Sequence, residues 1–291
     1  MKTIHILLGC IFIAITALIL AGCGATSGTG GTGYGADAGP WSQSPNRATP
    51  TGQPEQVPNV ALAVLLRGKS AENEQIKLDI AQLELKYLDQ WVPVTNRDAI
   101  ARIETLPLII SQKGITAMLA TQKTMVPRRK YTHLRLRFDD KKTLLVRGEK
   151  ELPLTLQATL ELGEWTPEEK AINTLTVTLD GTKVTATTGS ATLPTNALTI
   201  AKGTASAGFN GKIVPASPTA RVDAFWGNTK LVIGTAIPAA ADGAFQIPNL
   251  PAGNYRLEVT NPGYHQADED KKPITLDGKV LDLGNLKLLK D

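Results

Sequence analysis

Cysteine is nearly missing from this chain. Only Cys10 and Cys23 occur in 291 residues. Both precede residue 24, so the rest has no thiol for a disulfide, a thiolate metal site or a cysteine nucleophile. Histidine is almost as scarce: of three, His5 lies near the N-terminus, and His133 and His265 are far apart. Neither has a second His or Cys at metal-ligand spacing, and each reads as a solvated side chain. No Gly-x-Ser-x-Gly, His-Glu-x-x-His or phosphate-loop pattern occurs. These gaps argue against an enzyme, and no catalytic residue, metal ligand or cofactor is assigned. The exception a sequence cannot display is a carboxylate pair brought together from separate strands. Charge of one sign is lacking too. Without Lys2, 30 cationic side chains face 27 anionic ones, so the chain as a whole sets up little field for nucleic acid.

What is present begins at the N-terminus. Lys2 precedes an apolar run over 4–20, followed by Leu20-Ala21-Gly22-Cys23-Gly24. Charge order and length describe a secretory signal peptide, too short and wrongly flanked for an ordinary membrane span. The Leu-Ala-Gly-Cys ending resembles the lipobox of bacterial lipoproteins. That resemblance implies removal of residues 1–22 and fatty acylation of Cys23 on sulfur and then nitrogen. It makes the membrane a partner through the lipid. Each buried methylene contributes about 0.8 kcal/mol, so one chain binds marginally and two or more hold firmly. Gly24, rather than Asp, after the cysteine implies the outer membrane, facing the periplasm or the exterior. Nucleic acid is no partner in that compartment. The protein must also fold there without cross-links, by burying apolar surface alone.

Residues 23–58 collapse into Gly, Ser, Thr, Ala and Pro, with Tyr34 and Trp41 as the only aromatics. Such composition cannot offset its own ordering entropy and reads as a flexible tether, reaching about 30–35 Å on average. Residues 59–202 read mainly as strand. Val60, Leu62, Val64 and Leu66 alternate, as do Ile76, Leu78 and Ile80. The apolar phase then slips across Ala81-Gln82, so that Leu83, Leu85 and Tyr87 face inward, which is the mark of a β-bulge. Leu134, Leu136 and Phe138 alternate with His133, Arg135 and Arg137. Further alternating sets follow at 154–162 and 175–179, the second ending at Asp180-Gly181. A short helix is expected over 115–123, after Gly114. Ala201 to Ser206 is small, polar and aperiodic, and reads as a linker. The fold class is all-β: two antiparallel β-sandwich domains, at 59–202 and 203–291, after the lipidated cysteine and tether.

The centre of the second region reads Asp242-Gly243-Ala244-Phe245, then Asn249-Leu250-Pro251-Ala252-Gly253-Asn254-Tyr255, then an alternating strand and Gly263-Tyr264. This resembles the carboxypeptidase regulatory-like family almost position by position. The resemblance implies a seven-stranded prealbumin-type sandwich, non-catalytic, used as an accessory or binding module, in a fold grouped with carbohydrate-binding-like sandwiches. The first region is similar, less specifically, to an uncharacterised domain of envelope lipoproteins. Shared points are its Ala-Val-Leu opening strand, the strand leading to Trp91, Leu106-Pro107-Leu108 and Tyr131-Thr132-His133-Leu134-Arg135-Leu136. In place of the Asp-Ala-Pro often found there it has Arg67-Gly68-Lys69-Ser70.

Two features concern ligands. Strand alternation places Arg135 and Arg137 on one face with Tyr131 and His133, the densest basic segment. That ladder would meet lipid phosphate, polysaccharide or another anionic polymer, unless neighbours such as Asp139 and Asp140 pair its charges. Trp226 and Tyr264, with Trp91 and Trp165, are the aromatics able to stack on sugars, although small sandwiches more often bury such rings. The acidic run Asp268-Glu269-Asp270 lacks the spacing of a calcium loop and is followed by Lys271-Lys272, so it reads as a solvated loop. The expected function is a non-enzymatic envelope lipoprotein acting in binding, adhesion or assembly with polysaccharide or envelope proteins. The alternative is a carbohydrate-binding module built on Trp226 and Tyr264.

Overall fold

The computed structural model describes residues 57–291. Cys23 and the tether lie outside the described residues. Strands dominate, and they pair within two groups, 59–204 and 207–290, forming sandwiches of mostly antiparallel sheets.

The first group has three sheets. In one, the strand Asn59–Ser70 is central. It runs parallel to Ile172–Gly181 and antiparallel to Ile115–Ala120, and Leu198–Thr204 closes the far edge. All five residues 62–66 are buried, because this strand is covered on both faces. Leu62, Val64 and Leu66 join the core of the first group. Leu65 on the opposite face packs with residues of the second. The residues expected to form a helix over 115–123 instead make the strand Ile115–Ala120. Ala117 to Ala120 are buried in it, so two covered faces erased the alternation that marks a strand. The one α-helix described is Arg97–Ala101, capped by Asn96, whose Oδ1 accepts from the Ala99 N–H at 3.0 Å.

The phase slip at Ala81 is a bulge: Ile80 faces Phe138, but Gln82 faces Arg137. Just before it, Asp79 is the corner at which the chain leaves one sheet (Glu74–Leu78) and enters another (Ile80–Tyr87). Its carboxylate is fully buried and receives the Arg97 guanidinium at 2.9 Å. An unpaired charge there would be strongly destabilising. The outer strands of this sheet are Thr159–Trp165 and Gln90–Asn96, with Tyr131–Phe138 beside Ile80–Tyr87 in the middle.

Residues expected to be a linker mostly continue the first group. Ala201 to Thr204 pair with Thr176 to Asn173, leaving Ala205 and Ser206 before the next strand. Edge pairing uses backbone groups, so an exposed edge strand needs no apolar period, and the linker reading of 201–204 is corrected on that ground.

The second group has two four-stranded sheets. Its first strand, Ala207–Val214, lies parallel to its last, Val280–Lys290, so both ends of the segment are held by one ladder. Phe209, Ile213, Val222, Phe245, Ile247 and Leu257 fill the space between the sheets. Fully burying one such side chain contributes about 1.5–3 kcal/mol. Asp242-Gly243 turns the chain, with Gly243 at φ +72 and Asp242 Oδ1 accepting from the Ala244 N–H at 3.1 Å.

Candidate functional site

The four ligand candidates do not meet. Trp226 is 2% exposed. Its ring stands edge-on to Tyr255 with centroids 5.3 Å apart, and Gly253 lies so close that a β-carbon there would collide with the indole. Its Nε1–H donates to Glu104 Oε1 at 2.7 Å. Alternation puts one of the neighbouring rings Phe225 and Trp226 inward and the other outward, and the sugar-binding alternative needs the indole to be accessible. The structure turns it inward, where it has no free face for a sugar, and this corrects its assignment as a ligand-stacking ring.

Tyr264 is half-buried beside a cleft of about 450 Å³ with Arg256, Asn261, His265, Gln266 and Lys271. The cleft is crossed by internal contacts. His265 Nδ1 lies 2.8 Å from Asp291 Oδ1, and Gln266 is committed to the Val259 N–H and the Asp270 carbonyl. The acidic run is also internally paired: Lys271 holds Asp268 at 2.8 Å and Lys287 holds Glu269 at 3.2 Å. Bonding to Lys271 lowers the Asp268 pKa. Among the described residues, no group of three His, Cys, Asp or Glu side chains is placed to hold a metal.

Arg135 and Arg137 do share a face. It is the outer side of the sheet containing Tyr131–Phe138. Register defines three rows across it. Glu161, His133, Lys86 and Trp91 form the first; Thr159, Arg135, Glu84 and Pro93 the second; Arg137, Gln82 and Asn96 the third. Tyr131 is not part of it, contrary to strict alternation. Lys86 faces His133 but Tyr87 faces Tyr131, so Thr132 is an extra residue in its strand. That bulge rotates Tyr131 into the core, where it is 1% exposed. Its hydroxyl donates to the Pro127 carbonyl at 2.7 Å, and burial pushes its pKa up to about 12.

On the outer face, Arg135 Nε donates to Glu84 Oε2 at 2.7 Å. Its guanidinium carbon stands 4.0 Å from the centroid of the half-buried Trp91 ring. His133 meets the same indole edge-on, with centroids 6.4 Å apart at 64°. Asp139, expected to neutralise the ladder, bonds Lys142 instead; the partner of Arg135 comes across the sheet. The Glu84 side chain is 8% exposed, with the Arg135 guanidinium against its carboxylate. Among the described residues, the Arg135 Nη groups have no protein partner. Arg137 and Lys86 form no ion pair there either. Glu84 was not singled out from sequence, and Trp91 was named there only among the aromatics able to stack on sugars, not as a neighbour of Arg135. The strand register that joins them to Arg135 is set by bulges, and Glu84 simply alternates among core leucines.

The sequence matches no protein-family model and no curated protein. Among solved structures it is similar to GBS52, the minor pilin of Streptococcus agalactiae, at 10% identity over 79% of this chain and 98% of that one, TM-score 0.27. It is also similar to BcpA, the major pilin subunit of Bacillus cereus, at 9% identity over 80% and 71% of the two chains, TM-score 0.23. With the Bacillus anthracis TIE protein it shares 10% identity over 79% of its length, TM-score 0.23, and spans only 34% of that chain. Such scores are too low for any property of those proteins to bear on this one.

Proposed function

We propose that this chain is a non-enzymatic binding and assembly module of the bacterial envelope, held at the outer membrane by lipid on Cys23. The observation that carries the reading is Leu20-Ala21-Gly22-Cys23-Gly24 directly after an apolar run. The folded part supports it. Its polar clusters are occupied with one another, as at His265–Asp291 and Lys271–Asp268, rather than arranged around a reacting centre. Of the two binding sites expected from sequence, the Trp226 and Tyr264 pair is disfavoured by burial of the indole, and the Arg135 and Arg137 face is favoured. The resemblance of the second half to an accessory module points the same way.

Anchorage is tested with Cys23→Ser in the full chain. Fractionation should move the protein from the detergent-soluble membrane fraction into the soluble periplasmic fraction, with loss of incorporated fatty acid. A variant that stays with the membrane contradicts the anchor.

A further inference from the structure

We infer that the outer face carrying Arg135 binds an acidic glycan, with carboxylate or phosphate groups along a sugar chain. The inference rests on reading the chain as an envelope binding module and gives that module a ligand class. His133, Arg135 and Arg137 succeed one another on one strand face at steps of about 7 Å, and Lys86 stands opposite His133. Arg137 and Lys86 have no ion-pair partner among the described residues. The Arg135 guanidinium is already fixed, by Glu84 at 2.7 Å and by stacking on Trp91 at 4.0 Å. Its Nη groups have no protein partner among the described residues. A guanidinium fixed before binding loses less side-chain freedom on capture of an anion, and its planar fork matches a carboxylate or phosphate.

Electrostatics alone would admit any polyanion, and Trp91 narrows the choice. It is half-buried with the fork over one ring face, and its uncovered surface is assigned to the apolar face of a sugar whose acid group reaches the arginine. An anionic bilayer fits less well. The exposed large apolar side chains, such as Leu88, Ile109 and Ile237, all lie outside the three rows, so this face has nothing to insert.

The test is a titration of polygalacturonate against the full chain in detergent, with neutral dextran, poly-glutamate and glycerophosphoglycerol (the water-soluble head group of phosphatidylglycerol) as parallel probes. Polygalacturonate should bind with an affinity that falls as salt rises, and dextran should not. Arg135→Gln should weaken binding at least tenfold. Because that change leaves Glu84 buried without a partner, Lys86→Gln with Arg137→Gln is the second variant. It breaks no ion pair and should weaken binding at least fivefold with an unchanged melt. Trp91→Leu removes the ring for the sugar and one of the two contacts that fix Arg135, so it should weaken polygalacturonate by a larger factor than poly-glutamate. The inference is overturned if polygalacturonate fails to bind, if poly-glutamate or glycerophosphoglycerol binds as well as it does, or if the Lys86 and Arg137 double variant binds like the parent. None of these results depends on the lipid, so the Cys23→Ser fractionation stands or falls separately.

Discussion

The two halves solve one packing problem with the same device and different surroundings. Each has a Pro-x-x-x-Tyr segment, Pro127 to Tyr131 and Pro251 to Tyr255. In each, the tyrosine is buried and its hydroxyl donates to the carbonyl of the proline four residues back, at 2.7 Å for Tyr131 and 2.6 Å for Tyr255. This satisfies a polar atom inside a sandwich and pins the corner entering a strand. The neighbours differ. Tyr255 lies between Phe209 and Trp226, centroids 5.6 and 5.3 Å away, both buried. Tyr131 lies between Tyr87 and Trp165, 6.5 and 6.3 Å away, both only partly covered. The small half buries Phe209, Trp226, Phe245 and Tyr255 in its core and keeps Phe225 half-buried beneath Arg256. The larger half keeps Trp91 half-buried beneath Arg135, and there the arginine is held by a glutamate as well.

The largest expected effect comes from emptying the two corners. Tyr255→Ala should lose about 3–5 kcal/mol, the range for removing a buried aromatic. Tyr131→Ala should lose less, because its partly exposed neighbours can close over the space. Denaturant unfolding of the full chain measures both. Equal losses would show that the two corners are energetically alike despite their surroundings.

The second effect concerns the seam between the halves. Leu65, Ile103 and Met118 from the first pack in the cluster that holds Trp226 and Tyr255. Glu104 Oε1 accepts from the Met118 N–H and from Trp226 Nε1, each at 2.7 Å. Glu104→Leu leaves both donors without an acceptor and should cost about 1–3 kcal/mol. Burial raises the Glu104 pKa, against the lowering by its two hydrogen bonds. The folded state therefore holds this proton more tightly than the unfolded chain, and stability falls as pH rises from the ordinary carboxylate range through the raised value. Glu104→Gln keeps an oxygen acceptor and has no charge to desolvate. Its melting temperature should match the parent below about pH 4 and exceed it at pH 7. A Gln variant less stable than the parent at pH 7 would mean that the carboxylate charge holds the seam.

Much of this was legible in the sequence, and the losses have identifiable causes. Period-two alternation found the half-exposed strands, the Ala81 bulge and the all-β class. It failed for Ile115–Ala120, where both faces are buried and alternation vanishes, and for 201–204, an exposed edge held by backbone bonds. The charged ladder of His133, Arg135 and Arg137 was visible because it obeys simple parity. Tyr131 was misplaced because the Thr132 bulge breaks that parity without leaving a mark in composition. Trp226 was misplaced because its covering comes partly from Glu104, 122 residues away, a contact no local pattern encodes. Glu84 and Trp91 joined the site only when register placed three strands side by side.

The central claim is that ligand meets the first half at Trp91, whereas Trp226 serves the core and seam. The direct measurement is the set of tryptophan indole ¹⁵N–H signals of the full chain, which has four tryptophans, followed during titration with polygalacturonate. The Trp91 signal should shift in proportion to occupancy, and the Trp226 signal should stay in place with slow hydrogen exchange. A shift at Trp226 with none at Trp91 would contradict the claim and return the binding site to the second half.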